Sequence, residues 1–352
     1  MASPVVVSQD WDSIASTTLY NWGKTIPDNI SANNAFLYWL REQSGNYKLI
    51  DDLGQFMVMP LRYENAAADT YSKYDPLSVT PIDGLTASLW NWRQSSAPIV
   101  ISEFERKQNS GKAKMFDLLS AKTDQAEDGI RDFIGKALLR GNGINGGNLY
   151  EAYVSAANGS SFVDSLPGLI AYDPTASRSI GNINQSTYTW WRNQFYAGNG
   201  FTTLAGFLKA LRKLYNDCSK GPGGSPDFSI CDQGTFELYE TALAVYHRNT
   251  SYAKADVPFE NLKFRGNTIM WDEFVPDVYN NTVAITNGSL FMMNGKFLTV
   301  KAHRATNFST TEFRIPVNGD SRVAHVLLIL GLGTSQRRKH GVMGRIDISI
   351  AS

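Results

Sequence analysis

Two strand-like segments, residues 47–63 and 85–104, constrain this chain most, because a long polar connection separates them. Apolar side chains alternate in both segments, as in strands with one buried face. The connection, AAADTYSKYDPLSVTPIDG (66–84), is rich in turn-forming residues. Such a pattern predicts a long hairpin, and a two-stranded hairpin is marginally stable in water by itself. We therefore expect residues 47–104 to lie on a surface outside their own hairpin.

Five side chains on this hairpin are candidate contacts: Tyr71, Lys73 and Tyr74 in the connection, and Trp90 and Trp92 on the return strand. Aromatic residues favour strands in any case, so a core role competes with a binding role. A hairpin without a core of its own presents its aromatics as anchors for a partner. The binding interpretation predicts that these five residues contact a neighbouring subunit.

The rest of the chain predicts an α+β fold with one long helix. Apolar positions over 111–139 follow helical spacing, and Gly129 and Gly135 inside this helix predict close packing or a bend. Two further helices are expected around 204–214 and 236–246. A strand is predicted at 227–232, between these two helices. Strands at 266–271 and 289–301, a hairpin turn at Asn294-Gly295, and a central strand at 323–332 that buries His325 are predicted after them.

The composition indicates a protein that associates. Of 352 residues, 43% are hydrophobic and 12% aromatic, but only 19% are charged, and the formal net charge is zero. Subunit interfaces are depleted in charged residues, and a net charge near zero favours association. The balance also argues against a dedicated nucleic-acid binder, which would carry a basic stripe. We recognise neither a signal peptide nor an apolar run long enough to cross a bilayer.

No motif predicts catalysis, a cofactor or a metal. GNGING (141–146) fits a dinucleotide fingerprint but follows the predicted helix at its wrong end, so we interpret it as a loop. The 4 histidines lack ligand spacing, and the 2 cysteines, Cys218 and Cys231, favour buried free thiols over a disulfide. The basic residues Arg337, Arg338 and Lys339 contact nucleic acid or a neighbour in one interpretation and form a solvated turn in the other.

Several segments, taken in order, resemble the major capsid proteins of tailed bacteriophages with the Hong Kong 97-type fold. They are TTLYNWGKTIPDNISANNAFLYWL (17–40), MPLRYENAAADTYSKYDPL (59–77), WNWRQSSAPIVISEFERKQNSGKAKMFDLLSAKTDQAEDGI (90–130), NQSTYTWWRN (184–193), PDFSICDQGTFELYE (226–240), MWDEFVP (270–276), TNFSTTEFRI (306–315) and VAHVLLILGLGTSQRRKHG (323–341). The resemblance spans nearly the whole chain, and the order of the segments is more specific than any one of them.

The resemblance implies four regions. They are an N-terminal arm at 1–46, an extended β-hairpin loop at 47–104, a peripheral domain with a long spine helix at 105–159 and 319–352, and an axial domain at 160–318. In the arm, Trp11, Trp22 and Trp39 would contact a neighbour. Some relatives cross-link a loop lysine, and Lys73 is the only lysine between residues 49 and 106, but no matching partner motif is present.

The implied function is that of a non-enzymatic shell subunit. Pentamers and hexamers would form an icosahedral head around double-stranded DNA, touching it weakly and without sequence preference. The implied partners are the chain itself and scaffolding, portal and decoration proteins, with no membrane; assembly would occur in the bacterial cytoplasm and the protein would reside in the virion. A tail or receptor-binding protein and, less so, a hydrolase remain as alternatives.

Overall fold

The computed structural model describes residues 35–43, 46–66, 68–75, 77, 81, 83–108, 118–140, 164–197, 201–244, 262–275, 287–316 and 319–350. Its α-helices are α1 (Ala35–Tyr38, continued by a π-helical turn at Trp39–Gln43), α2 (Glu103–Gln108), α3 (Leu118–Arg140), α4 (Leu166–Leu169), α5 (Leu204–Ser219) and α6 (Gln233–Ala244). Its strands are β1 (Tyr47–Ile50), β2 (Met57–Arg62), β3 (Leu85–Trp90), β4 (Arg93–Ser102), β5 (Ser179–Ile180), β6 (Ile183–Asn184), β7 (Gln194–Ala197), β8 (Phe228–Cys231), β9 (Leu262–Phe264), β10 (Asn267–Trp271), β11 (Asn287–Met293), β12 (Leu298–Thr310), β13 (Ser321–Thr334) and β14 (Gly341–Asp347).

The larger sheet has six strands in the order β7-β14-β11-β8-β10-β9 and mixes parallel with antiparallel pairs. A four-stranded sheet has the order β1-β12-β13-β4, and β2 with β3 forms a separate two-stranded hairpin. Helices and mixed sheets therefore make up the α+β fold that the sequence predicts.

Helices α5 and α6 cover one face of the six-stranded sheet and share its core. Thr203 caps α5 by accepting a hydrogen bond from the Gly206 amide at 3.2 Å. Apolar residues at helical spacing then place one stripe of α5 inside the protein. The cluster that joins the two helices to the sheet includes Leu204, Phe207, Leu211, Leu214, Phe236, Tyr239, Ile269, Leu290, Met292 and Met343.

The hairpin is shorter than the predicted 47–104. Its paired strands are β2 and β3, in a register from Met57 opposite Trp90 to Arg62 opposite Leu85. Strand β1 instead pairs in parallel with β12, and β4 is the outer strand of the four-stranded sheet. Apolar residues alternate in β1 and β4 because both strands belong to that sheet. The local pattern is the same as the one a hairpin strand would show.

The described part of the long helix, α3, begins at Leu118 and ends at Arg140. Ala126, Ile130 and Ile134 lie on its buried face at a spacing of one helical turn. Of the two expectations for the helix glycines, close packing or a bend, close packing is wrong at Gly129. This residue is exposed, and apart from the backbone of its own helix no atom of the described residues lies within 4 Å of where a Cβ would be.

Two other expectations near the end of the chain are wrong. Asn294 does not start a β-hairpin: its side chain accepts from the Lys296 amide and caps a 3-10 turn, after which the chain passes from β11 in one sheet to β12 in the other. In β13, residues from Val323 to Ile329 alternate between partly accessible and buried, and His325 is the one exposed residue of this strand. Only the second half of the strand is buried on both faces.

The chain divides into two compact units. One comprises residues 1–32, 95–132 and 308–328, and in its described part Arg322 Nε donates to Glu103 Oε1 at 2.6 Å. The other comprises 33–94, 133–307 and 329–352 and includes the six-stranded sheet, α5, α6 and the β2–β3 hairpin. The boundaries of the peripheral and axial domains remain predictions.

Candidate interaction surface

The inner face of the β2–β3 hairpin packs against its own chain. Met57, Met59 and Trp90 are buried, and Trp90 is only 5% exposed. A Cβ at Gly333 would lie 2.8 Å from the Trp90 ring, and one at Gly181 would lie 2.9 Å from it, so this ring needs glycine on both sides. Trp90 is thus a core residue, and its prediction as a contact with a neighbour is wrong.

The outer face of the same hairpin is open and apolar except at Arg62, which is exposed on this face opposite Leu85. Val58 and Leu85 are 49% and 71% exposed, and Pro60 lies between them on this face because side chains alternate along a strand. The register places Leu89 opposite Val58 and Ala87 opposite Pro60. We call this set of five residues the outer strip. A strip of exposed and partly exposed apolar side chains on a strand pair is a candidate contact with another molecule.

The hairpin connection carries exposed aromatics. Tyr71 is 68% exposed and Tyr74 is 96% exposed, and Lys73 beside them is exposed as well. A turn fixes this tip, because the Asp75 amide donates to Ser72 O at 3.1 Å and the Ser72 amide donates to Asp75 Oδ2 at 2.8 Å. The tip thus presents two rings to solvent from an ordered turn, while their contact with a neighbour stays a prediction.

The base of the connection is fixed to its own chain. The Tyr63 ring stacks on Trp190 with centroids 4.9 Å apart, and the Tyr63 amide donates to Gly84 O at 2.9 Å. A Cβ at Gly84 would overlap the Glu64 carbonyl at 2.4 Å. The two ends of the connection therefore leave the body at a defined place.

The other predicted tryptophans have different roles. Trp92 is half-buried, and its Nε1–H donates to Leu53 O at 2.8 Å. Trp39 is 4% exposed and stacks on Phe228 of the six-stranded sheet at 4.3 Å, so the prediction of Trp39 as a contact of the arm with a neighbour is wrong. Trp11 and Trp22 lie outside the described residues.

The basic run proves to be structural at two of its three positions. Arg337 is fully buried, and its guanidinium donates to Leu169 O at 2.7 Å, to Asn193 Oδ1 at 2.9 Å and to Gln185 Oε1 at 3.1 Å. Since a buried guanidinium cannot reach a phosphate, the prediction that Arg337 contacts nucleic acid or a neighbour is wrong.

Lys339 is also buried, and the same prediction is wrong for it. Its Nζ donates to four backbone carbonyls at and just after the end of α5, those of Ser219, Lys220, Gly221 and Gly224, at 3.0–3.3 Å. A cation at this helix end donates to carbonyls that have no partner within the helix, and its charge interacts favourably with the helix dipole. Arg338 is half-exposed and donates to Lys220 O at 3.1 Å.

Beside this turn, His340 is a neutral structural residue. Burial, and secondarily the charge of Arg337, lowers the pKa of His340 to about 3. Its Nδ1 accepts from the Asn294 amide at 3.3 Å, which leaves Nε2–H to donate to Thr334 Oγ1 at 3.0 Å. Both ring nitrogens of His340 are hydrogen-bonded within the protein, so the imidazole has a structural role and offers no free nitrogen for chemistry.

The described residues contain no cluster of three or more histidine, cysteine or acidic side chains that could hold a metal. Cys218 and Cys231 are free and buried, as predicted, and burial raises the pKa of both thiols. Among the helices described, none is both long and apolar enough to span a membrane.

Reasoning from sequence missed the outer strip. The signal was present, since Val58, Pro60 and Leu85 are apolar although the residues beside them in β2 and β3 already form a buried inner face. Strands that are apolar on both faces bury both of them only when something packs on each side. The chain itself buries the inner face, and the outer strip is left accessible in the isolated chain.

The comparisons identify the fold through solved structures alone. No protein-family model matches the chain, and no curated protein matches it in sequence. The capsid protein of cyanophage A-1(L) is similar in structure with a TM-score of 0.58 and 12% identity, over 94% of this chain and 99% of that one. The SrpI encapsulin of Synechococcus elongatus has a TM-score of 0.56 and 11% identity, over 96% of each chain. The cyanophage P-SCSP1u capsid protein has a TM-score of 0.54 and 12% identity, over 94% of each. The Hong Kong 97-type fold expected from the sequence is thereby confirmed.

Proposed function

We propose that this chain, which has the Hong Kong 97-type capsid fold, is a major capsid protein. Pentamers and hexamers of it would form the icosahedral head that encloses phage double-stranded DNA. The observation that carries the proposal is the match to a capsid protein over 94% of this chain and 99% of that one. The similar structures are those of shell proteins, which supports a structural, non-enzymatic role for this chain.

The mechanism is geometric. Subunits that contact each other through two different surfaces form rings when the rotation between neighbours closes, and rings of five and six tile an icosahedral shell. The outer strip, Tyr71 and Tyr74 supply the apolar contact that each subunit makes with its neighbour. Burial of such surface contributes roughly 25 cal/mol per Å², and many repeated contacts stabilise the shell together. In the arm, Trp11 and Trp22 extend this contact, as the resemblance implies.

Further partners follow from the same role. Scaffolding, portal and decoration proteins would contact the shell, and its place would be the virion after assembly in the bacterial cytoplasm. With 33 basic and 33 acidic residues, the chain offers packaged DNA only weak, non-specific contact.

Electron microscopy of the expressed protein tests the proposal. Wild type should form closed shells, whereas a variant lacking 66–82 should stay folded and form none. The matched pair within the tip is Tyr74→Ala and Thr70→Ala. Both residues are exposed, but only the first removes an aromatic anchor, so only the first should slow assembly. A wild type that remains monomeric at high concentration would contradict the proposal, and fibres would favour a tail or receptor-binding protein.

A shell that holds protein cargo is the second candidate function. The observation in its favour is the encapsulin structure, whose TM-score of 0.56 is close to that of the phage capsid protein. The content of particles isolated from the native source separates the two candidates. Double-stranded DNA inside supports the phage capsid, and a single protein cargo without DNA supports the second candidate.

A further inference from the structure

The geometry points to a second contact between neighbouring subunits, in which the basic face of α5 docks on the acidic face of α6 of the next copy. This inference rests on the proposed function, because it names surfaces through which copies associate head to tail. It concerns Lys209, Arg212 and Lys213 on α5, and Glu237 and Glu240 on α6.

The basic face is the solvent side of α5. Lys209, Arg212 and Lys213 are all exposed and lie at helical spacing, so they point to the same side. Among the described residues none of the three forms an ion pair with a carboxylate. Their contacts are with neutral groups: Arg212 Nε donates to Leu208 O at 3.2 Å, and Lys213 Nζ lies 5.3 Å from the Tyr196 ring centroid.

A fourth cation extends this face beyond the helix. Arg265, in the turn between β9 and β10, donates from Nη1 to Asn216 Oδ1 at 3.1 Å, and Asn216 is exposed one turn after Arg212 and Lys213. The Arg265 guanidinium also lies 6.0 Å from the Tyr215 ring centroid. The hydrogen bond and the ring hold this cation at the end of the basic row.

The acidic face is the solvent side of α6. Glu237 and Glu240 are exposed and three residues apart, so they share one side of the helix. Glu237 accepts from Gln233 Nε2 at 2.8 Å, and in the part of the chain that is described neither glutamate is paired with a cation. The face is therefore as free of counter-charges as the basic one.

The two faces fit each other better than they fit themselves. Both helices lie on the same sheet, yet no ion pair joins their exposed residues within the described chain. Like-with-like contact between two copies would place cations against cations. A head-to-tail contact places the basic face of one copy against the acidic face of the next, as closure of a ring requires.

Charge complementarity within one chain favours a second copy over nucleic acid as the occupant. A surface evolved for phosphates alone needs no acidic counterpart on the neighbouring helix, whereas a self-complementary ring contact does. Exposed charge pairs of this kind accelerate encounter and select the partner more than they add affinity, and salt screens them within about 8 Å at physiological ionic strength.

Three charge-swap variants test the contact. The basic-reversed variant is Lys209→Glu with Arg212→Glu and Lys213→Glu, and the acidic-reversed variant is Glu237→Lys with Glu240→Lys. The combined variant carries all five changes in one chain. A charge-preserving control, Lys209→Arg with Arg212→Lys and Lys213→Arg, keeps the face positive. All five positions are exposed, so we expect every variant to fold. An unchanged circular dichroism spectrum and thermal midpoint would confirm this.

Light scattering at low salt measures the assembly rate. Each reversed variant alone should assemble at least about tenfold more slowly than wild type, because like charges then meet at every contact. The combined variant and the control should assemble within about threefold of wild type. An equal mixture of the two reversed variants should form six-membered rings and no five-membered ones, because complementary copies must alternate and alternation closes only in even rings.

The outcomes separate this inference from the proposed function. If wild type forms no shells, the proposed function fails. If wild type forms shells and the reversed variants assemble at the wild-type rate, the docking of α5 on α6 is overturned. Unchanged assembly with loss of nucleic acid from the particles overturns it as well and reassigns the basic face to nucleic acid.

Discussion

Replacing Arg337 by methionine should lower the melting temperature of this protein markedly, because the buried guanidinium donates to several buried acceptors. This group donates to Leu169 O, Trp191 O, Gln185 Oε1 and Asn193 Oδ1, four acceptors in one segment, 169–193, that lies far from Arg337 along the chain. Methionine fills most of the volume but donates to none of them. Asn193 Oδ1 keeps the Ala171 amide at 3.0 Å, so the other three acceptors lose a buried donor.

The cost follows from those three groups. A buried acceptor left without its donor costs about 1–3 kcal/mol, and partial relaxation of the surroundings favours the lower part of that range, so we expect about 4 kcal/mol in total. At about 2–3 °C per kcal/mol for a chain of this size, the melting midpoint should fall by about 10 °C. The control is Arg338→Met, which loses one hydrogen bond of a half-exposed side chain and should change the midpoint by about 2 °C or less.

Thermal denaturation followed by circular dichroism compares the two variants with wild type in the same assembly state. A large shift for Arg337→Met and a small one for Arg338→Met agree with the structure. Similar, small shifts for both would refute the assignment. An unchanged midpoint together with weaker nucleic-acid binding of Arg337→Met would restore the solvated basic run that the sequence alone allowed.

Four further outcomes follow from buried and exposed groups. The pKa of His340 is lowered from 6.5 to about 3, so the unfolded chain binds the extra proton between those values, and the free energy of unfolding should decrease as pH falls from 6.5 towards 3. Asp164 acts in the opposite direction, because burial raises its pKa from 3.8 to about 6 despite Arg93. Its contribution to the free energy of unfolding is greatest below pH 3.8 and is lost as pH rises through 6. Asp164→Asn should therefore make the free energy of unfolding, measured by denaturant titration, fall more steeply as the pH is lowered. Cys218 and Cys231 should resist a thiol reagent in the native protein and both react after unfolding, and rapid native labelling would contradict their burial. Tyr74→Ala should leave the free energy of unfolding within about 0.5 kcal/mol of wild type while slowing assembly.

Elements with a local periodic signal could be predicted from the sequence. The apolar stripe from Leu204 to Leu214 gave α5 because burial of one helix face repeats every three to four residues. The run that includes Phe228 and Ile230 gave β8, since every residue of that short strand is buried. In both cases the pattern along a few residues already contains the information.

The errors arose where the covering group comes from far along the chain. Trp90 has the same local signal whether its own chain or a neighbour covers it, and the glycines that admit its ring are Gly181 and Gly333. Arg337 and Lys339 are charged residues that are usually exposed, and they are buried here because their acceptors lie more than one hundred residues earlier. No window around these positions contains those partners.

For the candidate surface, the sequence pointed to the hairpin segment and to only some of the residues that the structure leaves exposed there. Tyr71 and Tyr74 are exposed at the tip, as a role in contacting a neighbour requires. The outer strip was missed because alternation predicts one buried face and does not say what covers the other. The inner face of β2 and β3 packs on its own chain, so the hairpin is anchored at its base rather than lying wholly on another surface.

Electron microscopy of the purified wild-type chain at high concentration, with mass photometry of the same sample, tests most directly whether the molecule builds a container. We expect hollow particles of uniform diameter together with ring-shaped intermediates of five or six copies, and a variant without residues 66–82 that remains a single folded subunit. A wild-type chain that stays at 39.0 kDa under those conditions would contradict the account.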